Sequence, residues 1–294
     1  MTEPTTDDAA RVSNWRLLFG NPVTAISVVL LAVIVVAALG APWLAPSGVN
    51  DVDVPNALQP PSGAHWFGTD ELGRDVASRV LAAARASLLV AVVSVAFALV
   101  VGVSVGLVAG YRCGWLDTVV MRCVDVMFAF PVLLLALAIV AVLGPGLTTT
   151  ILAIGIVYTP IFARVTRAST LGVRVEPYIA VSRSMGSPHR YIMAHHVLPN
   201  ISGPLIVQTS LSLAFAILAE AALSFLGLGL QPPQPSLGRM IFDSQGFVTL
   251  AWWVAVFPGA AIFLIVLAFN LLGDGLRDVL DPKQRTSAEA ERNR

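Results

Sequence analysis

The side chains able to do chemistry are few and widely spaced. Of the 18 cations, 17 are arginine and one is lysine, Lys283, which sits in a D-P-K-Q run near the C-terminus. A phosphate-cradling loop needs a glycine-rich turn leading to a lysine at a helix start, so nucleotide hydrolysis of that kind is excluded. No H-E-x-x-H pattern occurs. Of the four histidines, His195 and His196 are adjacent and would point about 100° apart on a helix, not to one metal. Cys113 and Cys123 are too few for a disulfide framework or a four-ligand zinc site. No catalytic residue and no metal site is expected.

Two groups of ionisable residues stand out. Glu220 lies inside an apolar run, where a carboxylate costs roughly 2.5–3.5 kcal/mol and must face a cavity or a protein partner. Two roles are open to it: a pore-lining group that meets an ammonium, and an anchor between helices. The anchor is favoured by the small neighbours Ala221, Ala222 and Ser224, which let helices approach closely. The second group is the compact run Phe67, Asp70, Glu71, Arg74 and Asp75, with Gly68 and Gly73 supplying turns.

The elements that must position these residues are membrane helices. Over 294 residues, 56% are hydrophobic, 12% are charged and the mean hydropathy is +0.79. A soluble domain carries about 25% charged residues, and disorder needs low hydrophobicity, so the chain reads as an integral membrane protein. The net charge is zero, which offers no field for nucleic acid. The polar first 21 residues precede an apolar run too long for a signal-peptide core, so that run is read as a permanent first span.

Six continuously apolar stretches, at about 23–44, 86–110, 122–143, 149–166, 204–227 and 252–272, are expected to be transmembrane helices. Alternation places 14 cations on one side and 4 on the other, so both termini are expected in the cytoplasm. The resulting division is a cytoplasmic tail at 1–21, a first helix with its outer loop at 22–85, a five-helix core at 86–280 and a tail at 281–294. Pro131, Pro160 and Pro258 fall within spans, where proline favours kinks. Asp125 is expected to pair with Arg122 or solvent.

The cytoplasmic loop 167–203 is too long for a plain connection. It reads as two short helices around Gly186-Ser187-Pro188. Glu176-Pro177 opens the first, Tyr178, Val181 and Met185 form an apolar face, and Gly186 ends it. Ser187 is expected to N-cap the second helix, with Pro188 at its first position, and Leu198-Pro199-Asn200 to break it. On pattern alone, an amphipathic hairpin on the membrane surface is the simpler reading.

This loop resembles the cytoplasmic "EAA" loop of ABC importer permeases, through Gly186 and the Val197-Leu198-Pro199 end at matching spacing. The family's glutamate is replaced here by Ala180, with Glu176 and Arg183 the nearest charges. The run from His65 to Asp75, the run from Ala219 to Gly229, Trp252-Trp253 through Pro258-Gly259, and Asn270 to Asp278 are similar to segments of the C-type permeases of dipeptide, oligopeptide and nickel importers. The resemblance covers about residues 14–284. It implies an all-α, six-helix type I importer fold in a bacterial cell membrane, with peptide as the substrate and no cofactor in this chain; nickel or glutathione is the alternative substrate within the family, and a non-transporting scaffold or channel the alternative outside it. It implies a homologous B-type permease, two ATPase subunits that use ATP and magnesium, and an extracytoplasmic binding protein as partners. Residues about 177–190 would then dock on the ATPase. The 65–75 run would be either a gate or docking rim for the binding protein, or a self-satisfied cap on the outer mouth.

Overall fold

A computed structural model describes residues 22–280; the two expected tails, 1–21 and 281–294, lie outside them. The described residues form helices and connections, with one isolated β-bridge, Thr69 to Asp75, and no strand. In chain order the helices are α1 (Pro22–Leu39), α2 (Ala41–Leu44), α3 (Val76–Arg112), α4 (Gly114–Phe128), α5 (Val132–Leu143) and α6 (Leu147–Val173). They continue with α7 (Pro177–Ser184), α8 (His189–Ile192), α9 (Leu198–Asn200), α10 (Ser202–Phe225), α11 (Leu237–Asp243) and α12 (Trp253–Leu280).

Four helices, α3, α6, α10 and α12, are long and apolar enough to cross a membrane. The stretch expected as one span at 122–143 is instead two helices, α4 and α5, bent by 89°. Pro131 stands at the bend as the N-cap of α5; it has no backbone N–H to continue α4 and disfavours a helical residue before it. α1 is apolar but shorter, over Val23–Leu39. The second span also begins earlier than expected. α3 starts at Val76, not near 86, because the Asp75 carboxylate accepts the Ser78 backbone N–H and starts the helix in the outer loop. Its 37 residues make a rod about 55 Å long.

α3 and α6 form the centre of the core, and their closeness is set by glycine. Gly102, Gly106 and Gly110 recur every fourth residue on one face of α3. A side chain at Gly102 would meet the Thr159 carbonyl at 2.6 Å, and one at Gly110 the Arg167 carbonyl at 2.9 Å. Backbone-to-backbone contact of this kind substitutes for the hydrophobic drive that helices lose in lipid. Phe162 and Ile154 of α6 and Ile217 and Leu223 of α10 are fully buried around this seam. α10 and α12 complete the bundle, and α1 packs along α12. A second, smaller cluster of Tyr111, Ile179, Ile192, Val197, Ile201 and Leu205 lies at the far end of α3.

Candidate functional site

That smaller cluster is the base of the loop region singled out in the sequence. α6 runs through Val173, so the connection proper is shorter than 167–203. Pro177 opens α7, Glu176 is its N-cap without a side-chain bond, and Gly186 ends it at φ +78°. The Gly186 N–H donates to the Arg183 carbonyl at 2.9 Å and the Ser187 N–H to the Ser182 carbonyl at 3.1 Å, the paired closure of a Schellman turn. Nothing crowds Gly186, so its backbone angle and not its size calls for glycine.

One local expectation needs correction. The N-cap of α8 is Pro188 and not Ser187, because Pro188 is extended (ψ 146°) and helical angles start at His189. The expected break at Leu198-Pro199-Asn200 is present: α9 ends at Asn200, and Ile201 (φ −98°, ψ 3°) separates it from α10. Before that break the helix runs through a π turn at Met193–Val197, with the Leu198 N–H donating to the Met193 carbonyl. Pro199 offers no N–H, and the wider turn accommodates it.

α7 presents two faces. Ile179 points inward and is fully buried. Tyr178, Val181 and Met185 point outward, 40%, 59% and 79% exposed, and Ala180 is exposed beside them. The hairpin is held by Tyr111 at the end of α3, which sequence reasoning missed. Its hydroxyl lies 3.2 Å from His189 Nδ1, accepts from Arg183 Nε at 3.3 Å, and its ring carries the Arg183 guanidinium at 4.9 Å. Arg183 is therefore engaged with Tyr111, which leaves Glu176 as the freer of the two charges near Ala180. The only signal for Tyr111 was an aromatic residue at the end of an apolar run.

At the opposite end of α3 the run 65–75 folds on itself. Asp70 is buried; it accepts from the Leu72 and Arg74 backbone N–H groups and from Arg74 Nε at 2.7 Å, and lies 3.5 Å from Arg79. Asp75 is also buried, between Ser78 and His65 Nδ1 at 2.9 Å. Phe67 stacks on Phe257 of α12 with ring centroids 4.0 Å apart, and Trp253 Nε1 donates to the Thr69 carbonyl at 3.1 Å. Glu71, half-buried, pairs with Arg74 at 3.1 Å. Burial pushes its carboxyl above the ordinary 4.5, with the neighbouring Asp70 charge adding to the effect. Of the two readings of this run, the self-satisfied one describes Asp70 and Asp75.

Glu220 is fully buried in α10. One carboxylate oxygen accepts from Ser87 of α3 at 2.6 Å and the other from Ser224, one turn on, at 2.7 Å. The carboxylate thus bridges two helices. Asp125 pairs with Arg164 of α6 at 2.6 Å, not with Arg122, since the bend at Pro131 lays α4 against α6. Asp117 makes a bidentate pair with Arg167 at 2.5 and 2.6 Å. No group of three or more metal-ligating side chains exists among the described residues.

Comparison with known proteins agrees with this architecture. The family described as "Binding-protein-dependent transport system inner membrane component" matches residues 102–286. The N-terminal transmembrane domain of oligopeptide transport permease C matches residues 12–61. The dipeptide transport system permease protein DppC of Alkalihalophilus pseudofirmus is 44% identical, over 96% of this chain and 94% of its own. The glutathione transport system permease protein GsiD of Pectobacterium atrosepticum is 42% identical, over 92% and 91%. The solved inward-facing MetNI methionine ABC transporter shares the fold, with a TM-score of 0.54 at 20% identity over 67% of this chain and 96% of that one.

The chain belongs to the binding-protein-dependent transport permeases, inner-membrane components of ABC importers. It is a transport subunit with the helical fold of a type I importer.

Proposed function

We propose that this chain forms half of the translocation pathway of a peptide importer and takes its energy from separate ATPase subunits. The observation that carries this reading is the exposed apolar face Tyr178, Val181 and Met185 on a helix anchored from behind by Ile179 and Tyr111. A short helix in water does not leave three large apolar side chains uncovered without a partner surface. In the whole importer that face docks in a groove of an ATPase subunit, which supplies ATP and magnesium chemistry; this chain performs none.

The same reading puts the α7–α8 hairpin and both termini in the cytoplasm and counts α1 and the α4–α5 pair as spans, for six in all. A homologous B-type permease completes the pore. A binding protein delivers substrate at the capped end, where Phe67, Glu71 and Arg74 form the rim.

The substrate class is short peptides, as in the names of the dipeptide and glutathione relatives. Glutathione, itself a tripeptide, is the second candidate within that class. The test is purification of the chain with its co-expressed importer subunits. Wild type should bring a second permease and two ATPases, and Val181→Asp with Met185→Asp should release the ATPases but keep the permease pair. Unchanged ATPase retention in that double variant would overturn the docking assignment. Uptake into proteoliposomes of dipeptide against glutathione decides the substrate.

A further inference from the structure

Four arginines lie at the capped end of the bundle, and three of them have carboxylate partners. Arg74 pairs with Asp70 and Glu71, Arg79 with Asp70, and Arg239 with Asp243 at 2.8 Å. The fourth, Arg85, is exposed and has no hydrogen bond or ion pair among the described residues. It lines a half-open cavity of about 1180 Å³ bordered by α1, α2, α3, the start of α6, the 230–235 connection and Phe269 of α12. Leu31 and Val35 of α1 and Leu89 and Val92 of α3 form its walls, and Arg85, Ser47 and Gln234 supply its polar side chains.

The depth of Arg85 is set by the sequence. It lies ten residues past Asp75, about 15 Å along the helix, and no charged residue follows it until Arg112. It therefore stands at the edge of the hydrocarbon layer, where an arginine meets headgroup phosphates. A peptide in this cavity would leave its amides without partners against aliphatic walls, at a cost of kilocalories per group. An acyl chain needs no such partners.

We infer that this cavity is a binding site for an anionic phospholipid, with an acyl chain between α1 and α3 and the phosphate on Arg85. The inference rests on membrane placement alone and is independent of ATPase docking. The test is native mass spectrometry of the assembled importer titrated with phosphatidylglycerol or phosphatidylcholine.

Wild type should retain phosphatidylglycerol about fivefold better than phosphatidylcholine, the weight expected of one basic residue at a membrane surface. Arg85→Ala should erase that preference, Arg85→Lys should keep most of it, and Ala82→Trp should block retention of both lipids with Arg85 intact. ATPase rate and subunit recovery report whether each variant is assembled. Equal phosphatidylglycerol retention by wild type and Arg85→Ala would overturn the inference. So would cross-linking of a cysteine at Leu89 to the second permease, which would make the cavity a protein interface.

Discussion

Gly186 needs its left-handed angle but has free space around it, and that separates two effects of substitution. Gly186→Ala should cost about 1–2 kcal/mol in the turn without any clash. We expect the importer to assemble while more ATP is hydrolysed per peptide imported, read in proteoliposomes; Gly186→Asn, which tolerates this angle better, should restore part of the ratio. An unchanged ratio in Gly186→Ala and Gly186→Pro would count against a coupling role.

Glu220 is a second case. Glu220→Ala strands the Ser87 and Ser224 hydroxyls in the core, for about 1–3 kcal/mol, whereas Glu220→Gln keeps an acceptor and a donor and should lose less. Thermal unfolding of the complex measures the difference. Glu71 gives a pH dependence. Its carboxyl titrates above the unfolded value, so the folded cap binds the proton more tightly. Glu71's contribution to the cap is therefore fully present at low pH and is lost as pH rises from the ordinary carboxylate range through the raised folded value. Glu71→Gln should flatten that part of the melting profile, at and just above the ordinary carboxylate range.

At this scale the sequence made Gly186 and Glu220 visible, because a glycine after an amphipathic turn and a carboxylate in hydrocarbon are each anomalous. Tyr111 was hidden, because an aromatic residue at a helix end has several ordinary uses.

The elements show where periodicity suffices and where it fails. Long apolar runs mark α6, α10 and α12 because hydrocarbon demands unbroken apolar helix. The same rule merged α4 and α5 into one span, since hydropathy averages over a single proline and carries no direction. Helix starts set by side-chain caps, as at Asp75, also escape a hydropathy reading. The repeat Gly102, Gly106, Gly110, which an apolar-run reading passes over, marks the α3–α6 seam. Gly106→Leu should force these helices apart and sharply lower recovery of folded permease, whereas the same change at Gly172, which faces open space, should be tolerated; size-exclusion profiles of the two variants test this. Tyr111→Phe keeps the ring under Arg183 but removes the hydroxyl shared with Arg183 and His189. We expect full assembly with a lower ratio of peptide imported to ATP consumed, and a ratio equal to wild type would mean the ring alone holds the hairpin.

At the scale of the molecule, two structured ends are joined by one uninterrupted helix. The cap at 65–75 starts α3 through Asp75, and the hairpin carrying α7 closes on Tyr111 near its other end. Family and fold class were readable from long motifs because both ends are built from contiguous runs. Which partner each carboxylate meets was not, because Asp125 with Arg164 and Glu220 with Ser87 join residues 39 and 133 positions apart.

The length of α3 also fixes an angle. One residue inserted into its middle would turn the hairpin by about 100° relative to the cap, while seven, close to two full turns, would nearly restore the original azimuth and only lengthen the shaft by about 10 Å. The helix acts as an axle whose two ends are keyed, so natural length variation in this chain belongs in its connections and not in α3.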